Sequence, residues 1–372
     1  MKKPIAIVLA LAAVLTLFAC KPKDVAEEPQ EDTSTLPPVI EVTPTPPPTP
    51  TLEPTPPPYD GAYNPLSGLP IADELVNARP LAIMLNNRKI AQPQLGMSQA
   101  DIIFEVPAEG GITRMLAIFQ DAAEAGNIGS VRSARPYYIE LAEGFDAIYV
   151  CAGGSPGAYT TLKNNKVDYL DGVNGSRQEV FFRDSWRQKN MGYEHSLLTS
   201  GERLAKQLPN YSFRLEHTDA FKSPYVFEEG YMLALSATDS ENAVNKLKID
   251  FSSSKSTTFE YNTDAEEYRM TQHGSEYKDG NTGERVTFQN VIVIETSIAV
   301  IKGDSEGRLS VKTTGEGNGM VYIGGKAAAI TWSKASHSAP LVFTLEDGTP
   351  LTLRSGHTYI GVTSSLSSIK YD

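Results

Sequence analysis

The residues with the most chemical reach lie between Asp101 and His195. The stretch "EGGITR" sets Glu109 and Arg114 about a Gly-Gly turn, and "VRSARPYY" places Arg132 and Arg135 three apart with Ser133 between them. A guanidinium fork matches carboxylate or phosphate oxygens two at a time, so arginines beside a carboxylate suit recognition of an oxyanion. The same residue types also build internal ion-pair networks, here Glu109, Arg114, Arg132 and Glu140, because buried arginines often serve architecture. Both readings stand on sequence alone.

A second candidate follows at once. In "CAGGSPGAYTTL", Gly153-Gly154-Ser155-Pro156-Gly157 has the form G-x-S-x-G between a strand and a helix, the context of a nucleophile elbow. Asp168, Asp171 or Asp184 and then His195 follow in the Ser–Asp–His order of that class. The residue after the nucleophile must donate its backbone N–H to the oxyanion, and Pro156 has none. The alternative is a helix start, with Ser155 as N-cap and Pro156 at the first helical position. A helix N-terminus after a strand also attracts anions, so Ser155 joins the arginines as a candidate ligand-binding residue.

Other chemistry is thinly represented. The histidines at 195, 217, 273, 337 and 357 show no paired ligand spacing and there is no CxxC, so neither metal nor cofactor is expected. His195 in "YEHSLL" reads as a hydrogen-bonded residue or a base. Trp186 and Trp332 would stack on sugar rings if exposed and otherwise fill the core. Cys151, in the apolar run "DAIYVCAG", reads as a buried, inert thiol.

These residues need elements to hold them, and the chain divides by composition. "MKKPIAIVLALAAVLTLFAC" has two lysines and then an apolar stretch too short to span a membrane, which is signal-peptide anatomy over residues 1–20. Residues 21–58 carry 13 of the 25 prolines, interleaved with Thr and Glu. Such a segment cannot bury a core and favours polyproline II, as a stalk does. The three parts carry +2, −5 and −9 of the net −12, which argues against nucleic acid and against a polybasic membrane contact.

The body from Tyr59 onward is long enough for two domains, 59–218 and 219–372. In the first, "RPLAIMLN", "ADIIFEV", "RMLAIFQ" and "AIYVCAG" read as buried strands. "RPYYIELAEGF", "SPGAYTTLKNN" and "TSGERLAKQL" have helical spacing, the last opening on a capping box from Thr199 to Glu202. The expectation is an α/β domain with a mixed or parallel sheet covered by helices. In the second, short strands separated by turns such as Gly324-Gly325 predict an all-β antiparallel domain.

Resemblances add to this. Leu17-Phe18-Ala19-Cys20 resembles a bacterial lipobox, which implies a diacylated Cys20 and a protein tethered at the outer face of the cytoplasmic membrane. A soluble secreted protein is the alternative. "NPLSGLP", "PQLGMSQADIIFEV", "EGGITRMLAIF", "IGSVRSARPYY", "GGSP", "YEHSLLTS" and later "FQNVIVIE", "ITWSK" and "LRSGHTYIGV", in that order, resemble the YerB family of bacterial lipoproteins. That resemblance spans Asn64 to Val362 and implies a lipoprotein signal, a stalk and a two-part domain without an assigned activity. A looser likeness to LytR-type wall-polymer phosphotransferases rests on the Ala100-Asp101 strand, the arginine loop and the Gly-Gly segment.

The sequence therefore predicts an extracytoplasmic lipoprotein that binds an anionic envelope ligand, a glycan or a phosphate-bearing molecule. The ligand-binding candidates are Arg132, Arg135, Arg114, Glu109, Ser155, Asp101 and His195. A wall-polymer phosphotransferase or hydrolase, and a structural or protein-partner module, are the alternatives.

Overall fold

In the computed structural model, residues 59–175, 179–233 and 243–371 are described. Cys20, the signal peptide and the stalk lie outside them. The apolar runs of the first region form β1 (Leu81–Asn86), β2 (Ile102–Pro107), β3 (Thr113–Phe119), β4 (Ile148–Cys151) and β5 (Tyr169–Asp171). Between them lie α1 (Pro136–Glu143) and α2 (Pro156–Asn164), and later come α3 (Ser185–Asn190) and α4 (Gly201–Gln207). The second region supplies β6 (Lys246–Ser252), β7 (Lys255–Asn262), β8 (Glu267–Gln272) and β9 (Asn290–Glu295). Further on come β10 (Gly315–Ile323), β11 (Lys326–Lys334), β12 (Val342–Leu345), β13 (Thr358–Thr363) and β14 (Ile369–Tyr371).

Ten of these strands share one sheet in the order β12-β11-β10-β9-β13-β2-β3-β1-β4-β5. Half come from each side of the boundary drawn at residues 218/219, so the two sequence regions are joined through continuous backbone hydrogen bonding. The junction is parallel: β13 runs alongside β2, with Phe104 opposite Ile360, and alongside β9. The second region is thus strand-rich and mostly antiparallel, but β13 departs from the purely antiparallel expectation because it is inserted between strands distant in sequence. The first region's strands are mixed, β1 pairing antiparallel to β3 and parallel to β4.

Strand periodicity explains the unbroken apolar runs, since a central strand buried on both faces has no polar side. Ala82, Met84, Phe104, Leu116 and Tyr149 pack on one face with Tyr138, Leu141 and Leu162 of α1 and α2. Leu81, Ile83, Leu85, Ile103 and Val150 pack on the other with Leu247, Phe259 and Met270 of a second sheet built on β8-β7-β6-β14. Cys151 is buried in the helix-side layer, where desolvation pushes its thiol well above the ordinary value. Trp332 also belongs to the core, its indole N–H donating to the Glu295 carbonyl at 2.9 Å, whereas Trp186 is 61% exposed.

The α4 cap corrects the sequence reading by one residue. Ser200 is the N-cap, its hydroxyl accepting from the Arg203 amide, while Thr199 donates to the Val180 carbonyl. The helix begins late because Leu197–Ser200 is still a strand, paired with Asn127–Gly129.

Candidate functional site

The arginine loop and the Gly-Gly-Ser-Pro loop lie side by side, tied by backbone bonds. The Ala152 amide donates to the Arg132 carbonyl at 2.9 Å, the Ala134 amide to Gly153 at 2.9 Å and the Ser155 amide to Ala134 at 3.2 Å. The Gly-Gly-Ser-Pro loop leaves the sheet where parallel β1 and β4 finish, the arginine loop reaches that end through a bridge between Leu85 and Val131, and each opens a helix with proline at its first position. Ligands of open α/β sheets gather at this end. Gly153 has φ of 74°, which a side chain resists, and turns the chain out of β4.

Within this frame the charged side chains fall into two clusters. In the inner one Glu109 is shared by two arginines: Arg114 Nη2 lies 2.7 Å from Oε1, and Arg135 binds both oxygens, through Nε at 3.1 Å and through Nη2. Arg114 also donates to the Ser133 carbonyl at 2.6 Å. Only 6% of the Arg114 side chain and 8% of Arg135 is accessible, against 20% for Glu109. Burial pushes the Glu109 carboxyl up, but the Arg135 hydrogen bond and the Arg114 charge outweigh it and hold the group below the usual range. Tyr138, from α1, donates to the carbonyls of Val106 and Arg114 and fixes the strand ends beneath.

The outer cluster centres on Glu194. Arg132 donates to its carbonyl at 2.8 Å and to its carboxylate at 3.2 Å, and Arg88 lies 3.3 Å from the other oxygen. His195 Nε2 is 3.1 Å from Glu194 Oε1. On the other side of the ring, Asn86 Nδ2 donates to Nδ1 at 2.8 Å, which places the ring proton on Nε2. Burial, opposed by Glu194, holds the imidazole below its ordinary pKa and so in the neutral form. Unlike the inner carboxylate, Glu194 is 54% accessible and Arg88 45%.

The sequence-predicted residues are thus partly brought together. Arg114, Arg135 and Glu109 form one group, Arg132 and His195 belong to the neighbouring one, and Ser155 adjoins the arginine loop through backbone. Asp101 does not join them. It precedes β2, whose far end carries Val106 opposite Arg114, and it accepts from Asn64 Nδ2 at 2.8 Å and the Gln120 amide at 2.7 Å. Burial raises its pKa, and its role is to moor the "NPLSG" loop. Glu140 also lies elsewhere, bonded to Thr313 and 2.9 Å from His337.

The elbow geometry fails on contacts as well as on Pro156. Ser155 Oγ accepts from the Ala158 amide at 3.2 Å as an N-cap, and His195 is committed to Asn86 and Glu194. Asp171 accepts from the Gly153 amide and from the Tyr159 hydroxyl, both at 2.7 Å, and so braces the loop rather than orienting a base. Sequence reading missed Arg88 and Glu194. The signal for Glu194 was its place beside His195 at the end of a short turn, but its partner Arg88 lies over a hundred residues away.

The mixed-sheet body built from both sequence regions is shared with known proteins. Residues 66–214 match the family described as "Protein of unknown function (DUF3048) N-terminal domain", and residues 247–360 match its C-terminal domain. The chain is 32% identical over 307 residues to "Putative lipoprotein YerB" of Bacillus subtilis (strain 168), covering 82% of this chain and 87% of that one. It also matches the crystal structure of YerB from Bacillus subtilis with a TM-score of 0.72 at 29% identity, covering 84% of this chain and 99% of the other. The chain belongs to the YerB family.

Proposed function

We propose that this protein is a lipoprotein anchored through Cys20 outside the cytoplasmic membrane, and that its body binds an anionic glycan or phosphate-bearing polymer of the cell envelope. The observation that carries the reading is the outer cluster. Two guanidiniums, Arg88 at 45% and Arg132 at 16% accessible, share one half-exposed carboxylate, so net positive charge remains where Arg88 meets solvent on an otherwise acidic body. On the same segment, Tyr193 is 62% exposed with the Arg183 guanidinium 3.5 Å over its ring, and Trp186 is exposed on the adjoining α3. Cations beside exposed aromatic side chains suit a charged sugar polymer, Trp186 and the face of Tyr193 away from Arg183 stacking on the sugar and the arginines meeting its anionic groups.

Arg114 and Arg135 enter as framework: held on Glu109, they fix the loop from which Arg132 projects. Affinity electrophoresis in gels containing dextran sulfate, with neutral dextran as reference, tests the reading. The wild-type chain is retarded by the sulfated polymer alone, and Arg88→Gln with Arg132→Gln weakens retention by roughly a hundredfold, about tenfold for each charge-assisted bond lost. Equal migration of the two proteins in dextran sulfate would overturn it.

A further inference from the structure

Beneath the arginine clusters, a third carboxylate is wholly enclosed. Glu105 on β2 faces the second sheet and accepts from Thr113 at 2.6 Å, Thr257 at 2.8 Å, Gln272 at 3.0 Å and Tyr359 at 2.8 Å. Two further groups meet at its Oε1. Asn87 Nδ2 donates to that oxygen at 2.8 Å, and Lys255 Nζ lies 3.6 Å from it. Asn87 and Glu105 are 1% and 0% exposed, and Lys255 4%.

As an ion pair this arrangement is incomplete. The lysine's tightest contact is a neutral amide oxygen, Gln272 Oε1 at 2.6 Å, and it also reaches the Asn87 carbonyl at 3.4 Å. Asn87 Oδ1 is buried with no donor. What the geometry does provide is one carboxylate oxygen bonded to the nitrogen of a primary amide and 3.6 Å from an amine, in a site closed to bulk solvent.

We propose that Lys255 and Asn87 are joined by an intramolecular isopeptide bond, with Glu105 relaying the protons. Glu105 takes a proton from the Lys255 ammonium, and the freed amine attacks Asn87 Cγ. The Cγ–Nδ2 bond breaks, and the departing nitrogen takes a proton from Glu105 and leaves as ammonia. Of the three ammonium protons, one stays on the new amide nitrogen, one completes the ammonia, and one rests on Glu105 or departs with ammonia as ammonium. No oxidant or other reactant is consumed. Burial, opposed by Glu105, holds the Lys255 pKa below its ordinary value, which favours the free amine.

The bond would tie the end of β1 to β7, joining the two sequence regions covalently in a body whose single cysteine is buried. Outside the cell, disulfides commonly supply such cross-links. Mass spectrometry of a tryptic digest of the full-length protein decides the matter. Joined chains resist cleavage after Lys255, so the peptide 249–269 appears linked to the peptide ending at Arg88, lighter than their sum by one ammonia, with fragmentation locating the bond at Asn87. Glu105→Gln restores separate peptides. A wild-type digest dominated by the free peptide 249–255 with Asn87 intact, or a link to any other residue, overturns the proposal, and neither result depends on how well a variant folds.

Discussion

Glu109 and Glu194 are each shared by two arginines a short distance apart on one end of the same sheet, yet they sit in different surroundings. Glu109 is four-fifths enclosed and its arginines almost wholly so; Glu194 is half in water, as is Arg88. In a poorly screened interior a carboxylate held by two cations is strongly favoured as the anion, and removing the carboxylate strands two buried charges. In water the same contacts are worth little, and the charge they leave uncompensated is available to something else. Residue type alone therefore does not separate framework from binding surface; enclosure does.

Breaking the inner cluster gives the largest expected effect. Glu109→Gln leaves Arg114 and Arg135 facing each other without a carboxylate and lowers stability by roughly 3–5 kcal/mol, read as a lower urea midpoint with unchanged slope. Arg135→Gln removes the bidentate partner but leaves Arg114 in place, and is expected to cost about 2–3 kcal/mol. A cost below that of an ordinary surface substitution for either variant would mean that the inner cluster is open in solution.

Acid sharpens the comparison. The folded Glu109 carboxyl titrates below its ordinary value, so its contribution to stability is complete above that value and is lost as pH falls through the lowered one. Glu109→Gln should therefore flatten the acid limb of a stability–pH curve, whereas Glu194→Gln leaves most of it in place. Part of the limb is common to all variants and belongs to Asp146, whose pKa is lowered to about 2: burial pushes it up, but bonds from His217 and Arg214 outweigh that. Its contribution is present above the ordinary value of 3.8 and disappears toward about 2.

Much of this architecture is legible in the sequence because it is local. The apolar runs of β1 to β4, the proline-led starts of α1 and α2 and the Gly324-Gly325 hairpin are each specified by a few adjacent residues. The shared sheet is not legible, since nothing near Thr358–Thr363 announces that it will lie between β2 and β9. The site divides likewise. Glu109 and Arg114 flank one turn and were found together, whereas Arg88 meets Glu194, and Glu105 meets Lys255, only through pairings across the fold. Asp101 misled because a strand-leading acid looks the same at either end of a sheet.

The smallest effect on stability carries the most information about binding. Glu194→Gln removes the carboxylate that occupies Arg88 and Arg132 while keeping an oxygen able to accept from His195, so stability should change by less than about 1 kcal/mol. Arg88, already half in water, and the mostly covered Arg132 are then no longer neutralised in part from within. Retention in dextran sulfate should increase in this variant, opposite in direction to the loss expected for Arg88→Gln with Arg132→Gln, and the gain should shrink as salt is added, since exposed charges are screened over about 10 Å at 0.1 M. A general effect of net charge would give a similar gain on removing an acidic residue far from the cluster, such as Glu346→Gln on the exposed turn after β12. If Glu346→Gln and Glu194→Gln raise retention equally, the polymer is sensing overall charge and the outer cluster is not its site.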